Sequence, residues 1–312
     1  MISGRAFKKK CKKFIRNYPF IGLLLWLLLL GAIAFVTYLI VYNVSVARHQ
    51  DVYDSLWTTT QQVGKDIRNR EEEGQEAAAQ RESLAIAQTQ SVGDYMSVEE
   101  FLNIGDNRQN YGNYFSNMLD FAVLKSYNAD TIAYLLIPDT PVSYPVLCSD
   151  DNDYYLNHNI DGSEGYPGCL YIENYNSQDM SDAINVIYGH NMSNDTMFGT
   201  LNEYDDAAYR EAHPYVLLYF AEEVRVYEVV IASAYSNEHL LSDCFTMLES
   251  GGFRFDGMNN AEAPSLVARV QEYGAWGAYV DEAAVTADDQ LLVMSTCASG
   301  DIRYIVAARR IV

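Results

Sequence analysis

An uncharged, apolar run near the start of the chain constrains the molecule more than any other sequence feature. No charged side chain occurs from Asn17 to Ala47, and residues 20–41 are mostly leucine, isoleucine, valine and aromatic residues. About 20 apolar residues are enough to cross the hydrocarbon layer of a membrane. The run is longer than the apolar core of a cleaved signal peptide. It therefore predicts an uncleaved transmembrane helix at residues 19–42.

The charge on the two sides of this run is unequal. The first sixteen residues carry seven lysines and arginines and no acid. From residue 51 onward 13 basic and 42 acidic residues leave a net charge of −29. Positive segments remain on the cytoplasmic side of a membrane. Residues 1–18 are therefore predicted to be a cytoplasmic tail, and the chain beyond the span is predicted to lie outside the cell membrane.

Composition supports a folded domain and argues against a nucleic-acid partner. Apolar residues make up 49% of the chain and aromatic residues 13%, which is enough for a hydrophobic core. The strongly acidic part after residue 51 would repel a phosphate backbone. The acidic pairs Asp150-Asp151 and Asp205-Asp206 are more typical of a solvated surface than of a calcium site.

The chain beyond the predicted span divides into a polar stalk and a folded domain. Residues 43–95 are predicted to be the stalk, because residues 68–91 are rich in Glu, Gln, Ala and Arg. The domain is predicted over residues 96–312. A helix is predicted to start at Ser97, where Glu100 completes a capping pattern. A second amphipathic helix is expected at about residues 114–127.

Strand patterns dominate the rest of the domain. Runs of β-branched and aromatic residues alternate with Pro, Gly, Asn and Asp, which is typical of a β-rich fold. The predicted strands are Ile132–Ile137, Val142–Leu147, Cys169–Ile172, Ile184–Tyr188, Tyr215–Phe220, Val224–Tyr235, Leu291–Ser295 and Ile302–Ile311. Residues 239–282 form an insertion with a predicted helix at 263–273. These elements predict a mostly β fold, a closed or nearly closed barrel of about eight strands with flanking helices.

The cysteines outside the membrane follow no zinc-binding pattern such as CxxC. Cys148, Cys169 and Cys244 are interpreted as small buried thiols, with a Cys148–Cys169 disulfide left open. Cys297 differs, because it ends the apolar strand that starts at Leu291. A strand end can fix a thiol in position and leave it accessible, as a nucleophile requires.

Two further residues are candidates for chemistry with Cys297. His190 follows the strand Ile184–Tyr188 and opens a polar loop, whereas His158 is the only competing histidine. Arg303 starts the strand after Cys297, with five residues between them. Its guanidinium is suited to stabilising an oxyanion. A buried thiol, a structural histidine and a surface arginine remain the alternative interpretation of each residue taken alone.

Taken together, these segments resemble the sortases, and among them class B. The resemblance covers about residues 132–312, with the segments in the same order. The matching residues are Thr296-Cys297 with Arg303, Tyr188-Gly189-His190-Asn191-Met192, Met197-Phe198-Gly199, Leu201, Ile137-Pro138-Asp139-Thr140, Tyr144-Pro145-Val146, Asp151 to Leu156, and Gly168 to Glu173. The family more often has Asp where this chain has Glu173. The helical lead-in, the helix-bearing insertion and the absence of a predicted span after the barrel favour class B over the pilus-building class.

The resemblance implies a membrane-anchored cysteine transpeptidase of Gram-positive bacteria. Such an enzyme cleaves a C-terminal sorting motif of secreted proteins and transfers the acyl group through a thioester to an amine of a lipid-linked cell-wall precursor. The implied catalytic residues are Cys297, His190 and Arg303. Thr296, Ser295, Asn191 and Tyr188 are expected to bind substrate, and no metal or organic cofactor is expected.

Other functions remain as alternatives. A related enzyme could join pilin-like subunits through a lysine acceptor. L,D-transpeptidases and NlpC-type peptidases place histidine close to cysteine, whereas His190 lies far upstream of Cys297 here. A non-catalytic wall-binding barrel is the non-enzymatic alternative.

Overall fold

The computed structural model describes residues 19–72, 101, 119–248, 253–257, 262–299 and 301–312. The chain divides into two compact units, Met1–Arg48 and His49–Val312. The helix start predicted at Ser97 and the domain boundary at 95/96 lie outside the described residues.

The first helix, α1, runs over Pro19–Glu72. Among the described residues it is the one helix long and apolar enough to cross a membrane, with a candidate span of Leu23–Gln62 and a mean hydropathy of 2.6. Every side chain from Leu23 to Leu30 is more than half exposed. Apolar side chains that face outward all around a helix are typical of a membrane span. The predicted span at 19–42 lies within α1.

Eleven strands follow in the described part of the second unit. They are β1 Thr131–Leu136, β2 Ser143–Leu147, β3 Leu170–Ile172, β4 Ile184–Tyr188, β5 Tyr215–Tyr219, β6 Val224–Tyr235, β7 Phe245–Met247, β8 Phe253–Phe255, β9 Gly274–Val280, β10 Leu291–Ser299 and β11 Ile302–Arg310. The helix α2 Phe121–Tyr127 precedes β1, and the described α-helices between the strands are α3 Tyr154–Asn157, α4 Ala207–Ala212 and α5 Glu262–Tyr273.

Eight of these strands form a closed barrel, which confirms the predicted fold. The strand order is β11-β10-β4-β3-β2-β1-β5-β6, and β6 pairs with β11 to close it. The β2–β3 and β4–β10 pairs are parallel, and the other pairs around the barrel are antiparallel. Closure leaves none of these eight strands with an unpaired edge at which another chain could add a strand.

The insertion after β6 contains more structure than its sequence predicted. Its helix, predicted at 263–273, is α5 at Glu262–Tyr273. The sequence did not predict β9, which pairs with β6, or the β7–β8 hairpin. The side chains of Leu266 and Val270 in α5 are buried in one hydrophobic cluster with residues of β6, β10 and β11. This packing holds the insertion on the barrel.

The segment of α1 after His49 packs on the barrel. The Tyr53 hydroxyl donates to the Gly168 carbonyl at 2.8 Å, and the Trp57 ring stacks on Tyr134 with centroids 5.2 Å apart. Tyr53, Leu56 and Trp57 follow the i, i+3, i+4 spacing of an apolar helix face. The prediction of a polar stalk over 43–95 rested on residues 68–91 and did not include this face.

Candidate functional site

His190 follows β4, and Cys297 lies near the end of the neighbouring strand β10, at the same end of the barrel. The parallel strands β4 and β10 place Tyr188 opposite Ser295, and the Gly189 N–H donates to the Ser295 carbonyl at 3.2 Å. His190 lies two residues beyond Tyr188, and Cys297 lies two residues beyond Ser295. Because parallel strands run in one direction, the two residues come to the same edge of the sheet.

Arg303 is the register partner of Cys297. The two residues are opposite each other in the antiparallel pair β10–β11, and Arg303 is also opposite Tyr235 of β6. The Arg303 Nε donates to the Asn237 Oδ1 at 3.3 Å. Three strands therefore bring the predicted thiol, imidazole and guanidinium residues to one mouth of the barrel.

The imidazole of His190 is contacted by α3 and by the loop between α3 and β3. Its Nε2 lies 2.8 Å from the Leu156 carbonyl oxygen, and the Tyr166 ring centroid lies 4.9 Å from that of His190. A carbonyl only accepts, so Nε2 carries the proton and Nδ1 is the basic nitrogen of the neutral ring. Burial lowers the pKa of His190, and the hydrogen bond to Leu156 opposes part of this change. The ring is therefore mainly neutral at neutral pH.

The backbone around His190 is fixed by close packing. A Cβ on Gly189 would lie 2.7 Å from a Phe198 ring carbon and would also overlap Leu170. The Phe198 N–H donates to the His190 carbonyl at 3.0 Å, and Asn191 pairs with Met197 across the same loop. A larger residue at 189 would displace the strand end that carries the imidazole.

A pocket of about 270 Å³ opens at this mouth. Four of the seven predicted site residues line it, namely His190, Arg303, Tyr188 and Ser295. Asn191 and Thr296 are not among its described lining residues. Thr296 is 1% exposed, and its hydroxyl has no hydrogen-bond partner among the described residues. Cys297 is assigned to the site from its backbone, which lies in β10 opposite Arg303.

Two further residues of this region, His239 and Glu173, were not predicted from the sequence as site residues. His239 lies in the insertion and lines the pocket, although its sequence context is that of an ordinary loop. Glu173 is completely buried behind the pocket and lies 3.4 Å from His239. No local pattern could have linked these two residues, because they are far apart in the chain and each lies in a loop.

The other histidine and cysteine candidates have structural contacts. His158 stacks on Tyr154 at a centroid distance of 4.1 Å and is not a described lining residue of the pocket. Cys148, Cys169 and Cys244 are free thiols, so the structure contains no Cys148–Cys169 bridge. Burial raises the pKa of Cys148 and raises that of Cys169 to about 12. Both thiols are therefore poor nucleophiles at neutral pH.

One carboxylate of each acidic pair noted in the sequence accepts backbone hydrogen bonds from its own segment. Asp151 accepts the N–H groups of Asp153 and Tyr154 at 2.8 and 2.7 Å. Asp206 accepts the Ala208 N–H at the start of α4. In the part of the chain that the structure describes, no group of three or more His, Cys, Asp or Glu residues is arranged to hold a metal ion.

Comparison with solved structures identifies the class of fold. The X-ray structure of Clostridium perfringens sortase B has a TM-score of 0.52 and 24% identity, over 62% of this chain and all of that one. A Staphylococcus aureus sortase B–substrate complex also has a TM-score of 0.52, with 20% identity over 65% of this chain and 90% of that one. The barrel is a sortase barrel.

Comparison with curated sequences finds similar proteins of one class. No model of a known protein family matches the chain. Sortase B of Listeria monocytogenes is 29% identical over 174 residues, which are 56% of this chain and 65% of the relative. Sortase B of Staphylococcus aureus is 23% identical over 177 residues, which are 57% of this chain and 67% of the relative. The chain thus spans just under two thirds of the Listeria protein, and its sequence is similar to those of these two class B sortases.

Proposed function

We propose that this protein is a membrane-anchored cysteine transpeptidase of the sortase type. The observation that carries the proposal is the register of three strands, which brings Cys297, His190 and Arg303 to one mouth beside a pocket. Cys297 is the proposed nucleophile, His190 the proton carrier and Arg303 the oxyanion donor. The raised pKa values of Cys148 and Cys169 support Cys297 as the reactive thiol.

The proposed reaction is acyl transfer in two steps. The Cys297 sulfur attacks the carbonyl of the scissile peptide bond, and His190 Nδ1 takes the thiol proton. Arg303 stabilises the oxyanion of the tetrahedral intermediate. His190 then gives its proton to the leaving amine, the C–N bond breaks, and a thioester remains on Cys297.

The second step returns the enzyme to its starting state. An incoming primary amine attacks the thioester carbonyl and loses a proton to His190, and the C–S bond breaks. The thiolate leaving group recovers its proton from the imidazolium. By relationship to the class B sortases, the acyl donor is a C-terminal sorting motif of a secreted protein, and the amine belongs to a lipid-linked cell-wall precursor. Ser295, Thr296, Tyr188 and Asn191 are the proposed substrate-binding residues.

The test uses the full-length chain in detergent, a pool of peptides of the form Asn-Pro-X-Thr-X, and triglycine as the amine. Mass spectrometry should detect a thioester on Cys297 and a peptide joined to triglycine. Cys297→Ala should abolish product, and His190→Ala should reduce the rate by about 10²–10⁴-fold.

Cys148→Ala is the matched control, because this thiol is half-buried and its pKa is raised. That variant should keep wild-type activity. A thioester trapped on a cysteine other than Cys297 would contradict the proposed nucleophile, and product formation by Cys297→Ala would contradict the mechanism.

A further inference from the structure

Glu173 places a buried carboxylate directly behind the pocket wall. It follows β3, and its side chain is 0% exposed. Its Oε1 accepts from the Asn152 Nδ2 at 2.6 Å, and its Oε2 accepts from the Tyr188 hydroxyl at 2.8 Å. The His239 Nε2 lies 3.4 Å from the same Oε2. All three partners line the pocket.

These partners come from three separate segments of the chain. Asn152 lies before α3, Tyr188 ends β4, and His239 belongs to the insertion after β6. One carboxylate therefore connects three walls of the pocket.

The remaining polar atoms of two partners are also engaged. The Asn152 Oδ1 accepts the Asn174 N–H at 2.9 Å, and the His239 Nδ1 accepts the Leu241 N–H at 3.1 Å. Because Nδ1 of His239 accepts, its proton resides on Nε2, which faces Glu173. The His239 ring also packs edge-on against Phe245, with centroids 5.2 Å apart. Both the orientation and the tautomer of this imidazole are therefore set by its neighbours.

Asn152, Tyr188 and His239 each direct a hydrogen-bond donor at Glu173. Both oxygens of the Glu173 side chain must therefore accept hydrogen bonds. Burial by itself would raise the pKa of Glu173, but hydrogen bonds from His239, Asn152 and Tyr188 outweigh burial and lower it. The group is ionised at neutral pH. An amide at this position would direct its NH₂ at another donor and leave a buried group unpaired.

We propose that Glu173 is a positioning residue for substrate recognition, which fixes Asn152, Tyr188 and His239 as the wall of the pocket. This inference rests on the proposed function, because it concerns the same pocket. In this role Glu173 neither contacts the substrate nor transfers a proton. The contacts of His190 with the Leu156 carbonyl and the Tyr166 ring do not include Glu173. Loss of the carboxylate should therefore weaken peptide binding and leave the chemistry of the thiol and imidazole intact.

The first test measures binding, on full-length Cys297→Ala protein in detergent with a fluorescein-labelled Asn-Pro-X-Thr-X peptide pool. Adding Glu173→Gln should weaken binding by roughly tenfold. Glu173→Asp keeps the charge and should stay within about threefold of the parent. Glu228→Gln is the matched control, because it removes an ion pair with Arg309 on β11 away from the pocket. Unchanged binding in Glu173→Gln would overturn the proposal.

The second test separates positioning from catalysis and from general loss of structure. In the Cys297 protein, Glu173→Gln should raise KM and retain kcat, and iodoacetamide should alkylate Cys297 at the wild-type rate. A kcat that falls as much as kcat/KM would contradict a positioning role.

The ¹⁵N chemical shifts of His239 provide a readout that is independent of peptides. In the parent, the Nε2 of His239 should show the shift of an N–H that donates to a carboxylate, and this shift should move in Glu173→Gln, where the charged acceptor is lost. An unchanged Nε2 shift would overturn the proposal, independently of the peptide measurements. If the wild-type protein forms no product, the proposed function fails, whereas the binding and ¹⁵N measurements still decide the role of Glu173.

Discussion

At the residue scale, His190 is held between a backbone carbonyl and an aromatic ring. The carbonyl of Leu156 fixes the proton on Nε2, and the centroid of the Tyr166 ring lies 4.9 Å from that of the imidazole. Burial is the larger influence, so the pKa of His190 is lowered. Because the pKa of His190 is lower in the folded protein, the unfolded chain binds a proton on this imidazole more readily than the folded protein does. Its contribution to stability is therefore lost as the pH falls from the ordinary value of 6.5 towards the folded pKa.

Tyr166→Ala should raise the pKa of His190 towards 6.5, because the substitution admits water to the imidazole. The pKa can be measured by NMR titration of the His190 ring protons in the full-length protein. The acidic limb of kcat/KM should move to higher pH by the same amount. Tyr127→Ala is the control, since Tyr127 is similarly exposed and ends α2. An unchanged or lower pKa in Tyr166→Ala would show that the ring does not shield His190.

At the element scale, the second part of α1 contributes to the stability of the barrel. Trp57 stacks on Tyr134 and meets Tyr219 edge-on, with centroids 5.2 and 6.0 Å apart. Trp57→Ala should lower the free energy of unfolding by about 2–3 kcal/mol, because it removes a large partly buried ring and two aromatic contacts. Chemical denaturation followed by circular dichroism measures this change.

Ser55→Ala is the matched control for α1. The Ser55 hydroxyl is exposed and donates only to the Val52 carbonyl within the same helix. The substitution should change the free energy of unfolding by less than about 0.5 kcal/mol. Equal unfolding midpoints for Trp57→Ala and Ser55→Ala would mean that the helix contributes nothing to barrel stability.

Elements were predictable from the sequence where local pattern determines them. The eight barrel strands are runs of β-branched and aromatic residues, and their predicted bounds agree closely with the structure except in β10. That strand was predicted to end at Ser295 and continues to Ser299. Strand β9 was missed because Gly274, Gly277 and two alanines have low strand propensity, and pairing with β6 compensates for this. Glu173 and His239 were not predicted as partners for a different reason. Their contact depends on the return of the insertion to β3, which no local pattern encodes.

At the scale of the whole molecule, charge is segregated along the chain in a way that predicts its orientation. Seven basic residues precede the apolar run, and the chain from residue 51 onward carries a net charge of −29. Translocating the basic head would be opposed by the membrane potential and by its attraction to anionic lipids, whereas the acidic part meets no such cost. The orientation expected from these charges has residues 1–18 inside and the barrel outside, where the proposed substrates are found.

Cys11 allows this orientation to be tested with the natural sequence. In sealed protoplasts a membrane-impermeant maleimide should leave Cys11 unmodified, and after permeabilisation it should label Cys11, as mapped by mass spectrometry. The proposed nucleophile Cys297 is the external reference, because it should react without permeabilisation. Replacing Lys8, Lys9 and Lys10 by Glu should expose Cys11 in a fraction of the molecules, because these charges set the topology. Labelling of Cys11 in sealed wild-type protoplasts would place the basic head outside, and the barrel could not then reach an exported substrate.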